Sequence, residues 1–164
     1  MFAVRSAPSG TQAERYCDLL EQARALLAGE RDFTANAANL AALVFHALPE
    51  LNWAGFYWMK GGELVLGPFQ GKPACVRIAL GKGVCGTAAR DRHAIVVADV
   101  HQFPGHIACD PASRSEVVIP IIHAGRVLGV LDLDSPRAGR FDEGDARGLE
   151  ALVQAFLEST DLGG

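Results

Sequence analysis

No two cysteines of this chain are spaced as C-x-x-C; the four stand at positions 17, 75, 85 and 109, so the local signatures of zinc knuckles and thioredoxin-like motifs are missing. No block of five or six like charges occurs, and 15 Lys plus Arg against 19 Asp plus Glu leave a net charge of -4. That balance argues against nucleic acid as a partner. The longest apolar stretches, such as Val117 to Ile122, are strand-sized and fall far short of the roughly 20 residues that span a bilayer; no membrane partner is expected. Residues 1–10 show no positive segment followed by an apolar one, so they do not read as a secretory leader. The expected setting is cytoplasmic and reducing. Structural disulfides are rare there, which leaves the cysteines for packing, metal binding or redox chemistry.

What is present is an ordinary globular composition, 49% hydrophobic and 21% charged over 164 residues, which excludes disorder and collagen-like architecture. A flexible N-terminus over 1–10 and a single domain over 11–160 are expected. From Thr11 to Ala28, Tyr16, Leu19, Leu20, Ala23, Leu26 and Leu27 recur at helical steps, and Gly29 supplies a stop. Asp32 reads as the N-cap of a second helix ended by Pro49, and Asp142 as the cap of a last helix carrying Leu149, Leu152, Val153, Phe156 and Leu157. Between them the chain reads as strands: Asn52 to Met59, a Gly61-Gly62 turn, Glu63 to Leu66, Cys75 to Leu80, Ile95 to Ala98, Val117 to Ile122 and Val127 to Leu133. Val84 to Arg90 reads as a short helix. Asp99 to Ser113, with two prolines and two histidines, reads as a long functional loop. Helices gathered at the chain ends around hairpin-connected strands predict an α+β fold, an antiparallel sheet with helices on one face and a pocket under loops on the other.

Five motifs then come in a recognisable order. They are Asn52-Trp53-Ala54-Gly55-Phe56-Tyr57-Trp58, Gly83-Val84-Cys85-Gly86-Thr87-Ala88, His106-Ile107-Ala108-Cys109-Asp110, Ser113-Arg114-Ser115-Glu116-Val117-Val118 and Gly129-Val130-Leu131-Asp132-Leu133-Asp134. Together they resemble the free methionine-(R)-sulfoxide reductases, which are single-domain GAF proteins. The resemblance runs from the first helix to the last. It implies a six-stranded antiparallel sheet, a small closed pocket and a homodimer. It implies that Cys109 attacks the sulfoxide sulfur of free methionine-(R)-sulfoxide, that Cys75 resolves the sulfenic acid as a disulfide, and that thioredoxin or another dithiol is the external reductant, with no bound cofactor. Cys85 matches the third family cysteine.

The residues fit such chemistry. Reducing a sulfoxide takes a sulfur nucleophile, a proton for the departing oxygen and a second thiol. Attack needs thiolate, so a cation or hydrogen-bond donors near Cys109 are expected, with His106 and Arg114 as candidates. Cys85 lies at a helix start, where the dipole would lower its pKa; an active role and simple packing both stay open. Cys17, beside Tyr16 in the first helix, reads as packing. Asp132 and Asp134 stand two apart on a strand and share a face. Neighbouring buried carboxyls raise one another's pKa, so one can remain protonated and supply the proton. Glu116 is the third acid that the resemblance implies, and ionised members of the trio would attract the substrate ammonium. Trp53 and Tyr57, four apart on one strand, are expected to wall the pocket against the methyl and sulfur, while Phe56 and Trp58 face the core. Backbone N–H groups near Ser115 and Glu116 are candidates for the substrate carboxylate.

Three other readings compete. A non-catalytic ligand-binding GAF module of the cyclic-nucleotide kind has Phe141 and Asp145 in its favour, but no Asn-Lys pair precedes them. A metal site from His101, His106 and Cys109 matches no standard zinc spacing; no metal is expected. A thiol-based redox sensor would form the same disulfide without turning over methionine sulfoxide.

Overall fold

Side-chain caps fix where the long helices begin. In this computed structural model, which describes residues 1–6, 9–107 and 109–163, Thr11 opens α1 (Gln12–Leu27) with a capping box. Its hydroxyl accepts from the Glu14 N–H at 3.2 Å, and the Glu14 carboxylate accepts from the Thr11 N–H at 2.8 Å. Asp32 caps α2 (Phe33–Ala47) through the Ala35 N–H, and Asp142 caps α4 (Glu143–Ser159) reciprocally with Asp145. Of the segment expected to be flexible, residues 7 and 8 lie outside the described residues. Arg5 before them is tied to α1, its N–H donating to Gln22 and its guanidinium to Asp18.

Six strands form one sheet: β1 (Trp53–Lys60), β2 (Glu63–Gly71), β3 (Arg77–Ala79), β4 (Ile95–Val97), β5 (Ser115–His123) and β6 (Arg126–Ser135). Their order is β3-β2-β1-β6-β5-β4, antiparallel at each pairing. Pro120 sits inside β5 without breaking it, because β4 pairs only with Glu116 to Val118 and the proline lies beyond its reach. Strand β3 starts two residues later than the sequence pattern predicts. The Cys75 carbonyl is taken by the Tyr57 hydroxyl instead, and the ladder to β2 begins only with the Leu66 N–H donating to the Val76 carbonyl.

The alternation of the strands divides the core in two. On one face Ala54, Phe56, Trp58, Val117, Ile119 and Leu131 pack against α1, α2 and α4. On the other, Trp53, Tyr57, Val118 and Val130 pack against Val84, Cys85 and Ala88 of α3 (Gly83–Asp91). The three long helices thus lie together as expected, and the short fourth one joins the loops over the opposite face. A 3-10 turn at Val100–Gln102 is the regular piece of the stretch read as a loop. Cys17 is exposed rather than packed, since α1 buries the side that carries Tyr16, Leu19 and Ala23.

Candidate active site

Register places the acids. Glu116 on β5 stands directly opposite Asp134 on β6, and Asp134 stands opposite Trp53 on β1. Directly opposed residues share a face, so Glu116, Asp132, Asp134, Trp53 and Tyr57 all reach the same pocket. Gly55 lies opposite Asp132 on that face. A Cβ at Gly55 would run into Phe69 and the Trp53 ring, so glycine here permits the stacking of Trp53 on Phe69 at 5.3 Å and on Tyr57 at 5.8 Å. The cavity holds about 560 Å³ of empty space, part of it open to solvent.

Over the acids lie α3 with Cys85, the 72–75 segment and the 106–110 segment. The two segments are joined by a disulfide between Cys75 and Cys109, whose Cα atoms are 5.8 Å apart. Trp53 donates from Nε1 to the Lys72 carbonyl at 3.1 Å, and the Tyr57 hydroxyl donates to the Cys75 carbonyl at 3.0 Å. The aromatic pair therefore walls the pocket and also props up the segment that carries Cys75.

Burial dominates the electrostatics. It pushes the Glu116 carboxyl well above its usual range, helped by Asp132 and Asp134, and does the same to Asp134 with help from Asp132. Asp132 is pushed up to about 6, because hydrogen bonds from Glu116 and Cys85 offset part of its burial. Burial thus favours the protonated form of Glu116 and Asp134 relative to ordinary carboxyls. Cys85 was expected to be activated by its helix dipole, and the opposite holds. Its thiol is buried beside Asp132 and Glu116, which pushes its pKa well up, and it donates to Glu116 Oε1 at 3.8 Å.

The candidate cations for Cys109 also differ from expectation. His106 lines the pocket, but burial and neighbouring His101 lower its pKa, so it is neutral near pH 7. Arg114 is exposed and does not line the pocket; Lys72 and Lys82 do. The Ser115 side chain is engaged elsewhere, whereas the expectation there concerned backbone N–H groups. Its hydroxyl donates to the Arg137 carbonyl at 2.6 Å and accepts from the Arg140 N–H at 3.3 Å.

Sequence reasoning missed the neighbouring polar clamp. Asn52 Nδ2 donates to Asp110 at 3.1 Å and to Ser113 Oγ at 3.0 Å, pinning the loop after Cys109 to the start of β1. Its signal is Asp110-Pro-Ala-Ser113, where Asp110 accepts from the Ala112 N–H in an Asx-type turn. Hydrogen bonds from Ala112 and Asn52 lower the Asp110 pKa against a smaller effect of burial.

The rival sites fare differently. The group of described residues placed within metal-ligand reach is Cys85, Glu116 and Asp132, whose ligand atoms lie within 4.8 Å of one another. It is not the His101, His106 and Cys109 set. Binding a cation there needs the thiolate and carboxylate forms, and burial raises the pKa of both Cys85 and Glu116, which disfavours it. Asp145 serves the helix layer, accepting from the Tyr16 hydroxyl at 2.8 Å.

Known proteins resemble this chain over most of its length. The GAF domain family model matches residues 34–156. The chain is 50% identical over 153 residues to the free methionine-R-sulfoxide reductase of Escherichia coli, covering 92% of this chain and 93% of that one. It is 45% identical to the Saccharomyces cerevisiae protein of the same name, over 80% of this chain and 77% of that one. The solved free methionine-R-sulfoxide reductase of Neisseria meningitidis, in complex with its substrate, superimposes with a TM-score of 0.92 at 43% identity, covering 97% and 95% of the two chains. Among the described residues, no helix is long and apolar enough to cross a membrane.

Proposed function

The chain belongs to the GAF domain family and, within it, to the free methionine-R-sulfoxide reductases, and from that membership we infer that it reduces free methionine-R-sulfoxide to methionine in the pocket floored by Glu116, Asp132 and Asp134. The observation that carries the reading is the Cys75–Cys109 disulfide, whose Cys109 lines that pocket, the oxidised end of a thiol cycle beside buried carboxyl groups.

On this reading the Cys109 thiolate attacks the sulfoxide sulfur while Glu116 gives its proton to the oxygen. Methionine leaves, and Cys109 is left as a sulfenic acid. The Cys75 thiol then forms the disulfide, and water departs with the oxygen. Two electrons from an external dithiol, which we take to be thioredoxin, restore both thiols. Trp53 and Tyr57 pack on the methyl and sulfur. An ionised Asp132 faces the ammonium, and Lys72 and Lys82 at the rim attract the carboxylate. Cys85 acts as a hydrogen-bond donor that orients Glu116. A homodimer and a reducing, cytoplasmic setting complete the reading.

The test mixes purified protein with dithiothreitol or thioredoxin and with the separate R and S sulfoxides of free methionine and of a blocked methionine derivative. Methionine released from the free R form alone supports the reading; no release from any of the four overturns it. Cys109→Ser is expected to abolish even the first turnover. Cys75→Ser is expected to release one methionine per site and then to recycle slowly with thioredoxin.

A further inference from the structure

Outside the N-terminal tail, the large hydrophobic side chains left exposed among the described residues are Val76 and Leu80, at 62% and 42%. Both follow the redox cysteine along one edge segment. Val76 follows Cys75, and Leu80 follows the last residue of β3, the strand at the edge of the sheet. Scattered surface hydrophobics need no explanation; these two lie one and five residues after Cys75, whose disulfide must be opened from outside after each turnover. Charge marks the same place. Residues 71–82 contain Lys72, Arg77 and Lys82 and no acid, in a chain of net charge -4. All three cations are exposed, with Arg77 paired to Glu63 and Lys72 lying 3.9 Å from Asp110.

We propose that Val76 and Leu80, rimmed by Lys72, Arg77 and Lys82, are the docking surface for the dithiol protein that reduces the Cys75–Cys109 disulfide. The partner is one with an apolar lip beside its dithiol and acidic side chains around it. The proposal rests on the reductase reading above, because that reading supplies the need for an external dithiol. Docking on Val76 presents Cys75 Sγ to the incoming thiolate. A sulfur–sulfur bond forms between the partner and Cys75, the Cys75–Cys109 bond breaks, and Cys109 leaves as the thiolate that the next attack on sulfoxide requires. The partner's second thiol then displaces Cys75, which takes up a proton, and the partner departs as a disulfide carrying the oxidation.

The direct test follows reduction of the purified oxidised chain by thioredoxin, read as thiols gained, so it needs no sulfoxide turnover. In a Val76→Ser/Leu80→Ser variant the concentration of thioredoxin giving half-maximal rate is expected to rise about tenfold or more, while reduction by dithiothreitol, which needs no docking, stays unchanged. Arg77→Glu is expected to raise the same concentration and to weaken its dependence on salt. A thioredoxin whose second active-site cysteine is serine should be trapped on the peptide containing Cys75. An unchanged thioredoxin dependence in the double variant overturns the proposal, as does trapping on Cys109. A changed sedimentation coefficient in that variant also overturns it, because the surface would then belong to a second copy of the chain. Failure of the protein to reduce methionine sulfoxide with dithiothreitol would strike the reductase reading and leave this assay intact.

Discussion

Asp132 Oδ1 is buried and accepts no hydrogen bond from another described residue, so it is available to a donor that enters the pocket. A substrate ammonium or a protonated sulfoxide oxygen is such a donor. The same burial makes this residue a source of pH-dependent stability. Its carboxyl titrates at about 6 in the folded chain, against 3.8 ordinarily, so the native state holds the proton more tightly than the unfolded one. The stability this confers is fully present below about pH 4 and is lost as pH rises through about 6. Asp132→Asn removes the charge that must otherwise be buried. At pH 7.5 the variant is expected to be the more stable, by roughly 3 kcal/mol at most, with the gap closing toward pH 4. Denaturant melts at the two pH values check this, and a gap that widens on acidification would contradict it.

The α3 helix holds its place through one glycine. Gly86 faces β3 so closely that a Cβ would collide with the Ala79 carbonyl oxygen, in a turn where the Gly81 N–H donates to the Gly86 carbonyl at 2.8 Å. Gly86→Ala is expected to cost about 1–3 kcal/mol, to lower Tm by roughly 5 °C, and to raise KM for the sulfoxide, because Cys85 moves with the helix. Calorimetry and initial rates test both effects. Much of the fold is written in elements like this one. The capping pairs Thr11/Glu14 and Asp142/Asp145 mark helix starts locally, and Phe56 and Trp58 alternate with Trp53 and Tyr57 as a half-buried strand requires. What local pattern does not carry is competition from distant side chains. Cys75 fits a strand by its alternation, yet the Tyr57 hydroxyl takes its carbonyl; Ser115 sits beside Glu116, yet the 137–140 turn takes its hydroxyl.

At the scale of the whole molecule the disulfide links residues 34 apart. Closing such a loop in the unfolded chain is worth about 4 kcal/mol on the chain-entropy account, so the oxidised protein is expected to melt roughly 10 °C above the reduced one. Equal Tm values with and without dithiothreitol would mean that the bond does not staple the native fold. Strand parity alone paired Asp132 with Asp134, which must share a face, whereas Glu116 joined them through the family resemblance. The sign of the Cys85 pKa did not follow, because Glu116 and Asp132 come close to it only through pairing between strands and the seat of α3. The bond also sets the order of events. It ties the segment that carries Cys75 to the one that carries Cys109, a pocket-lining residue, and in the oxidised chain Cys109 has no thiolate to offer. Sulfoxide and reductant must then take turns, because no further sulfoxide can be attacked until a dithiol has opened the bond.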